Sequence, residues 1–164
     1  MHNDFGIVTA SDDRYAKQTV FMIESVRLLS KAPIICYCLN GISDQNRLRI
    51  QDAGAETRDD PRIRPASFED VCLMKPAMIC ASRFRYSLWL DSDVVVLGGM
   101  DEMEALTRKS NWIHGQPHIK KNRKISSPEL YRQMPVSGEV CHQTNSGVVG
   151  INWDYPDLIQ AWMT

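Results

Sequence analysis

The chain has 164 residues, 43% hydrophobic and 24% charged, a composition that suits an ordinary folded domain and excludes a disordered, coiled-coil or fibrous chain. Nineteen basic against twenty acidic residues leave a formal charge of −1, so no global field draws the chain to nucleic acid or an anionic membrane, and an anionic ligand has to be held locally. The five cysteines include no CxxC pair, and no window approaches the ~20 apolar residues of a membrane helix or the pattern of a signal peptide, so the expectation is a soluble protein of a reducing, cytoplasmic compartment with no transmembrane segment.

Taken in order, Gly6-Ile7-Val8-Thr9-Ala10 is a β-prone run passing into the polar Ser11-Asp12-Asp13, which reads as a buried strand ending in a loop. From Tyr15, a stripe of Thr19, Met22, Ile23, Val26 and Leu29 predicts a helix closed by Lys31-Ala32-Pro33. The apolar run 33–39, bounded by Pro33 and Asn40-Gly41, predicts a strand covered on both faces. Ser43 can cap a weaker helix ending near Gly54, and residues 55–66, with Pro61 and Pro65, read as loop with a short strand at Glu56–Arg58.

Pro76 suits the first turn of a helix running to about Phe84, which sets Lys75 at that helix's N-terminus. Residues 86–97 read as one strand interrupted by Asp91-Ser92-Asp93 and stopped by Gly98-Gly99, with Asp101 and Glu104 resembling a capping box for the helix that follows. Short strands are expected at 111–114 and 148–152, and a loop at 118–128, where Lys120, Lys121, Arg123 and Lys124 cluster without periodicity. A helix begins at Pro156 and reaches Thr164 without a stop signal, the pattern of a chain truncated at its C-terminus. Strands alternating with helices predict one α/β domain over residues 1–164, with a mainly parallel sheet flanked by helices.

Chemistry concentrates at Asp91-Ser92-Asp93. Along an extended strand, residues two apart face one side at ~7 Å, so the two carboxylates can converge on a hard cation such as Mg²⁺ or Mn²⁺, which one or two carboxylates hold together with substrate phosphates. Thirteen aspartates in 164 residues make about one D-x-D expected by chance, and an exposed acidic turn is the plain alternative. The flanking Leu88-Trp89-Leu90 and Val94-Val95-Val96-Leu97 favour the cation, because like charges are costly to bury without one.

The segment from Ser87 to Gly98 resembles the D-x-D strand of family 8 glycosyltransferases, the group that includes glycogenin-like enzymes and bacterial galactosyltransferases. Residues 7–15 (Ile7-Val8-Thr9-Ala10-Ser11-Asp12-Asp13-Arg14-Tyr15) are similar to that family's first strand and nucleotide loop, and residues 145–152, beginning Asn145-Ser146-Gly147, to its N-[AS]-G strand. The resemblance implies a GT-A fold, a UDP-sugar donor, an acceptor hydroxyl on a saccharide or protein, and retention of anomeric configuration. It implies nucleotide contacts from Thr9, Ala10, Ser11, Asp12, Arg14, Lys75 and Ser92, and donor-sugar contacts from Asn145, Ser146 and Gly147. Asn145 and Lys75 are then the catalytic residues, and Asp91 and Asp93 the ligands of Mn²⁺ or Mg²⁺. Arg14 stands where the family often has Asn, and the family's later histidine ligand and D-Q-D-like segment have no counterpart, leaving His114, His118 and His142 as candidate substitutes.

Two other readings compete. A sugar nucleotidyltransferase can use a related sheet and cation, but needs a Gly-rich first loop where this chain has Ala10-Ser11-Asp12-Asp13-Arg14. A non-catalytic or truncated nucleotide-sugar-binding module would keep the donor site alone. No G-x-G-x-x-G, G-x-x-x-x-G-K or G-x-S-x-G occurs, which disfavours dinucleotide enzymes, P-loop NTPases and nucleophile-elbow hydrolases. Asp12 and Asp13 can alternatively cap the first helix.

Overall fold

A computed structural model describes residues 4–65, 68–114, 147–157 and 159–160. In chain order its elements are β1 (Phe5–Ser11), α1 (Ala16–Arg27), β2 (Ile34–Cys38), α2 (Asp44–Asp52), β3 (Glu56–Arg58), α3 (Phe68–Ser82), β4 (Tyr86–Leu90), α4 (Met100–Lys109), β5 (Trp112–His114) and β6 (Val148–Asn152). The six strands make one sheet in the order β3-β2-β1-β4-β6-β5. The pairs β1–β2, β1–β4 and β2–β3 are parallel, whereas β6 runs antiparallel to both β4 and β5.

Side chains alternate across each strand, and both faces are covered. Ile7, Ile34, Cys36, Leu88 and Leu90 pack on one side with Met22, Ile23 and Val26 of α1, Ile50 of α2 and Met100 of α4. Val8, Ala10, Ile35, Tyr37, Trp89, Val149 and Ile151 pack on the other with Met78 and Ile79 of α3 and with Ile159. Every residue of β1 and of β4 is buried, which is why both read as continuous apolar runs. At Gly6 a Cβ would fall on the Phe84 ring, so only glycine fits there.

Most elements lie where the pattern puts them, and the exceptions have local causes. The first helix ends at Arg27, whose guanidinium bonds the carbonyls of Ala32 at 2.7 Å and Gly54 at 2.6 Å; Leu29 falls beyond it and is 42% exposed. Helix α3 starts at Phe68, not at Pro76, so Pro76 is internal and Lys75 is mid-helix. Packing of Val71, Met74, Met78 and Ile79 against the sheet outweighs the single backbone bond that an internal proline removes. No capping box forms at α4: its N-cap is Gly99 in the left-handed region, φ 76°, with no side-chain cap. Asp101 lies two positions past the N-cap, too far into the first turn to cap it, and Glu104 pairs instead with Arg108 at 2.8 Å.

The segment after β4 is also corrected, since the strand stops at Leu90 and residues 91–97 leave the sheet. Among the described residues no strand pairs with residues 94–97; the Val96 N–H donates to Ser25 Oγ of α1 at 3.0 Å, while Val95 and Leu97 are 60% and 90% exposed. At the chain's end, a helical turn is set by the Gln160 N–H donating to Pro156 O at 3.0 Å. Among the described residues no helix is long and apolar enough to cross a membrane.

Candidate functional site

Helix α1, which connects β1 to β2, packs on one face of the sheet, and α3, which leads into β4, packs on the other. The chain therefore changes face between the neighbouring strands β1 and β4, the switch point at which open α/β sheets form a crevice beyond their strand ends. A cleft of about 120 Å³ lies there. The end of β1 and its loop give it Ala10, Ser11, Asp12 and Tyr15, and the residue after β2 gives Leu39. Val71 and Lys75 come from α3, and Trp89, Asp91, Ser92 and Asp93 from β4 and the turn after it. The volume suits one ring rather than a whole nucleotide sugar, since pockets for drug-sized ligands run to about 300 Å³ or more.

The loop after β1 is held from both sides. Asp12 Oδ1 accepts the Tyr15 N–H at 3.0 Å, so one of its oxygens does secure the start of α1. Asp13 Oδ1 accepts from Ser43 N (2.8 Å), Ser43 Oγ (2.9 Å) and Asn46 Nδ2 (2.8 Å) at the start of α2. The Asn46 amide, followed by the two Ser43 donors, holds the Asp13 carboxyl below its usual range. Ser11 Oγ accepts from Thr19 Oγ1 at 2.8 Å and donates to Asp12 O at 3.1 Å, so this hydroxyl is spent inside the fold. Two expected nucleotide contacts do not reach the cleft. Thr9 is fully buried within β1, and Arg14 is exposed with its guanidinium 5.5 Å from the Tyr15 ring centre.

Because Trp89 and Asp91 are two apart, both fall on the α3 side of the sheet. Trp89 Nε1 donates to Asp91 Oδ1 at 2.7 Å, and Lys75 Nζ reaches the same oxygen at 2.7 Å. The ammonium also lies 5.6 Å from the indole centre. Lys75 is only 5% exposed, and an ammonium so buried needs an anion against it. This corrects the expectation that Lys75 stands at a helix N-terminus: it lies mid-helix, and its charge is matched by a carboxylate.

Asp91 and Asp93 come together through a turn rather than along a strand. The Asp91 N–H donates to Gly147 O at 2.8 Å, just beyond the last register pair, Leu90 with Val148. The Val94 N–H then closes back on Asp91 O at 3.1 Å, a tight turn with aspartate at the position that favours it. Asp93 is exposed, so the argument from burial of two like charges does not apply to it. The donor set still suits a hard cation. Among the described residues Asp91 Oδ2 and the Asp93 carboxylate accept no hydrogen bond, and two carboxylates plus ligand phosphates make the usual shell for Mg²⁺-like ions. No cluster of three His, Cys, Asp or Glu occurs among the described residues, so further ligands would come from the bound molecule, water or elsewhere in the chain.

Gly147 is thus brought beside Asp91 through its carbonyl, while Asn145 and Ser146 lie outside the described residues, as do His118, His142 and the basic stretch 120–124. His114 is placed by its backbone in β5, paired with Val148. Four cleft residues escaped the sequence reading: Tyr15, Leu39, Val71 and Trp89. The spacing of Trp89 from Asp91 was a usable signal; the contribution of Leu39 depends on β2 lying next to β1, which no local pattern reveals. Cys36, Cys38 and Cys80 are free thiols, and burial pushes the Cys36 thiol far above its usual range.

No family model and no curated protein sequence matches the chain. Solved structures do. The glycosyltransferase GlyE of Streptococcus pneumoniae TIGR4 superposes with a TM-score of 0.55 at 20% identity, over 96% of this chain and 36% of that one. WbbM, a bifunctional glycosyltransferase in its apo form, gives 0.65 at 15% identity, over 99% of this chain and 34% of that one. An active-site mutant of LgtC gives 0.58 at 22% identity, over 96% and 59%. The chain spans less than two thirds of each of these structures. At such identities the likeness establishes the fold, a mainly parallel α/β domain of the GT-A type.

Proposed function

We propose that this chain binds a UDP-sugar with its uracil ring in the cleft between β1 and β4 and transfers its hexose to an acceptor hydroxyl, with Mn²⁺ or Mg²⁺ held by Asp91 and Asp93. The observation that carries the reading is the convergence, in one cleft, of Ala10, Ser11 and Asp12 with Lys75, Asp91, Ser92 and Asp93, which lie roughly sixty to eighty residues further along the chain. The fold likeness to two glycosyltransferases supports it. Family 8 membership, with retention of configuration, is part of the same proposal and rests on the motif resemblance.

In this reading the bond between the anomeric carbon and the β-phosphate oxygen breaks with its electron pair going to the phosphate. The acceptor oxygen then bonds that carbon and gives up its proton to the departing β-phosphate oxygen. The cation, when bound, supplies charge neutralisation for the leaving diphosphate. The chain's own part is recognition and placement. Asp12 keeps a carboxylate oxygen that can accept from the imide N–H of uracil, and Ala10 leaves room for the ring. Asp91 offers Oδ2, and Asp93 is accessible. Lys75 adds positive charge beneath the turn. Carboxylates committed to a cation cannot also serve as a glycosidic acid and base pair, so the reaction relies on the leaving group and on Asn145, the residue that the motif resemblance assigns to the donor sugar.

Calorimetry with UDP, with and without Mn²⁺, combined with an assay for UDP-sugar hydrolysis, tests the proposal. Expected are cation-dependent UDP binding and slow release of UDP from the sugar donor. Binding indifferent to the cation would overturn the metal assignment. Cation-dependent binding without turnover would identify a donor-binding module, and pyrophosphate released from UTP plus a sugar phosphate would identify a nucleotidyltransferase.

A further inference from the structure

We infer that Trp89 is a positioning residue for the cation site: with Lys75 it occupies Oδ1 of Asp91 and leaves this carboxylate a single coordinating oxygen, Oδ2, so that the site favours small octahedral cations over Ca²⁺. The inference deepens the proposed function and rests on it. Its basis is the geometry at one atom. Trp89 Nε1 and Lys75 Nζ each stand 2.7 Å from Asp91 Oδ1, and the ammonium lies 5.6 Å from the centre of the same indole.

Neither donor is free to leave. The Trp89 side chain is 2% exposed and packed among Val8, Met78, Ile79 and Val149, so the indole cannot turn without opening that face of the core. An indole N–H has no other way to be satisfied than by an acceptor, and leaving it unpaired in the interior costs its desolvation. Lys75 is 5% exposed, and its charge ties it to the carboxylate. Rotation of the Asp91 carboxyl would sacrifice both bonds at once.

The consequence follows from what cations demand. Ca²⁺ takes six to eight oxygens and reaches that number readily when a carboxylate binds edge-on through both atoms, whereas Mg²⁺ requires a near-ideal octahedron at roughly 2.0–2.1 Å. A carboxylate pinned by one oxygen cannot bind edge-on. Groups that orient a metal ligand from behind are commonly worth about 10- to 100-fold in metal affinity, and Trp89 is such a group.

The test uses Trp89→Phe, which keeps an aromatic ring and removes the N–H. The Mn²⁺ and the Ca²⁺ concentrations that half-saturate UDP binding are measured by calorimetry for both proteins. Expected in the variant are an approximately tenfold or greater rise in the Mn²⁺ midpoint and a smaller change for Ca²⁺, so that the preference between them narrows. A Mn²⁺ midpoint within twofold of the wild type, or an equal rise for both ions, overturns the role of the indole while leaving the functional reading intact. Absence of cation-dependent UDP binding in the wild type overturns the functional reading instead. A second measurement needs no variant. Among the four indole N–H resonances, the one bonded to Asp91 should stay protected from hydrogen exchange when UDP and Mg²⁺ are added; loss of its protection would mean that Asp91 releases Oδ1, contrary to the inference.

Discussion

Replacing Lys75, in the middle of α3, by Met keeps an unbranched apolar stem and removes the ammonium. The charge it loses sits 2.7 Å from Asp91 Oδ1, between side chains 6% and 27% exposed. Two charges ~4 Å apart in an effective dielectric of about 20 attract by roughly 4 kcal/mol. Breaking a fully buried pair by removing one partner costs 3–5 kcal/mol. Because water reaches Asp91, and the Trp89 N–H still bonds it, the loss should be smaller, about 2 kcal/mol, equivalent to a melting point lower by roughly 4–8 °C in a domain of this size. Thermal and urea unfolding followed by circular dichroism measure it, with Arg85→Met as the control. Arg85 pairs with Asp154 at 3.0 Å with side chains 57% and 42% exposed, and an ion pair so open to solvent contributes under about 1 kcal/mol. Raising salt to 1 M should erase the small Arg85 effect and leave most of the Lys75 effect. Equal losses in the two variants, or a Lys75→Met change below about 0.5 kcal/mol, would refute the argument that burial gives the cleft pair its strength.

Two further outcomes follow from geometry elsewhere. At Gly150, in the middle of β6, a Cβ would fall on Trp112 Nε1 and Thr107 Oγ1, which bond each other at 2.9 Å; Gly150→Ala should therefore destabilise by about 1–3 kcal/mol, and an unchanged melting temperature would contradict the packing. The side chain of Arg62 holds the Asp60 carboxyl down to about 2, below its value in the unfolded chain. Its stabilisation is accordingly present above pH ~4 and lost as pH falls toward 2. The melting temperature of the wild type should fall more steeply than that of Asp60→Asn across that window, and parallel curves would count against the Arg62 bond.

Much of the fold was legible because the parallel strands are buried on both faces: β1, β2 and β4 announce themselves as apolar runs, and Thr19, Met22, Ile23 and Val26 mark the buried stripe of α1. Local pattern failed where tertiary contacts decide. Residues 94–97 have strand-like side chains, yet β6 pairs with β4 no further than Leu90, and the remainder is drawn toward Ser25 of α1. Pro76 pointed to a helix start, but the apolar residues on both sides of it carry α3 through. At the site, Ala10, Ser11, Asp12, Lys75, Asp91, Ser92 and Asp93 were each legible, and the fold gathers them. What the sequence could not reveal is how they are used: that Ser11 bonds inward to Thr19, that Thr9 faces the core, and that Lys75 answers Asp91. Those are facts of packing between segments distant in the chain.

The claim on which the account turns is that Asp91 and Asp93 share one hard cation with a bound diphosphate. Crystals soaked with UDP and MnCl₂, and examined at the manganese absorption edge, address it directly. Expected is an anomalous peak bonded to Asp91 Oδ2, to Asp93 and to oxygens of both phosphates, with the uracil ring in the cleft beside Asp12. Manganese bound elsewhere, or UDP seated with both carboxylates turned away from it, would contradict the account.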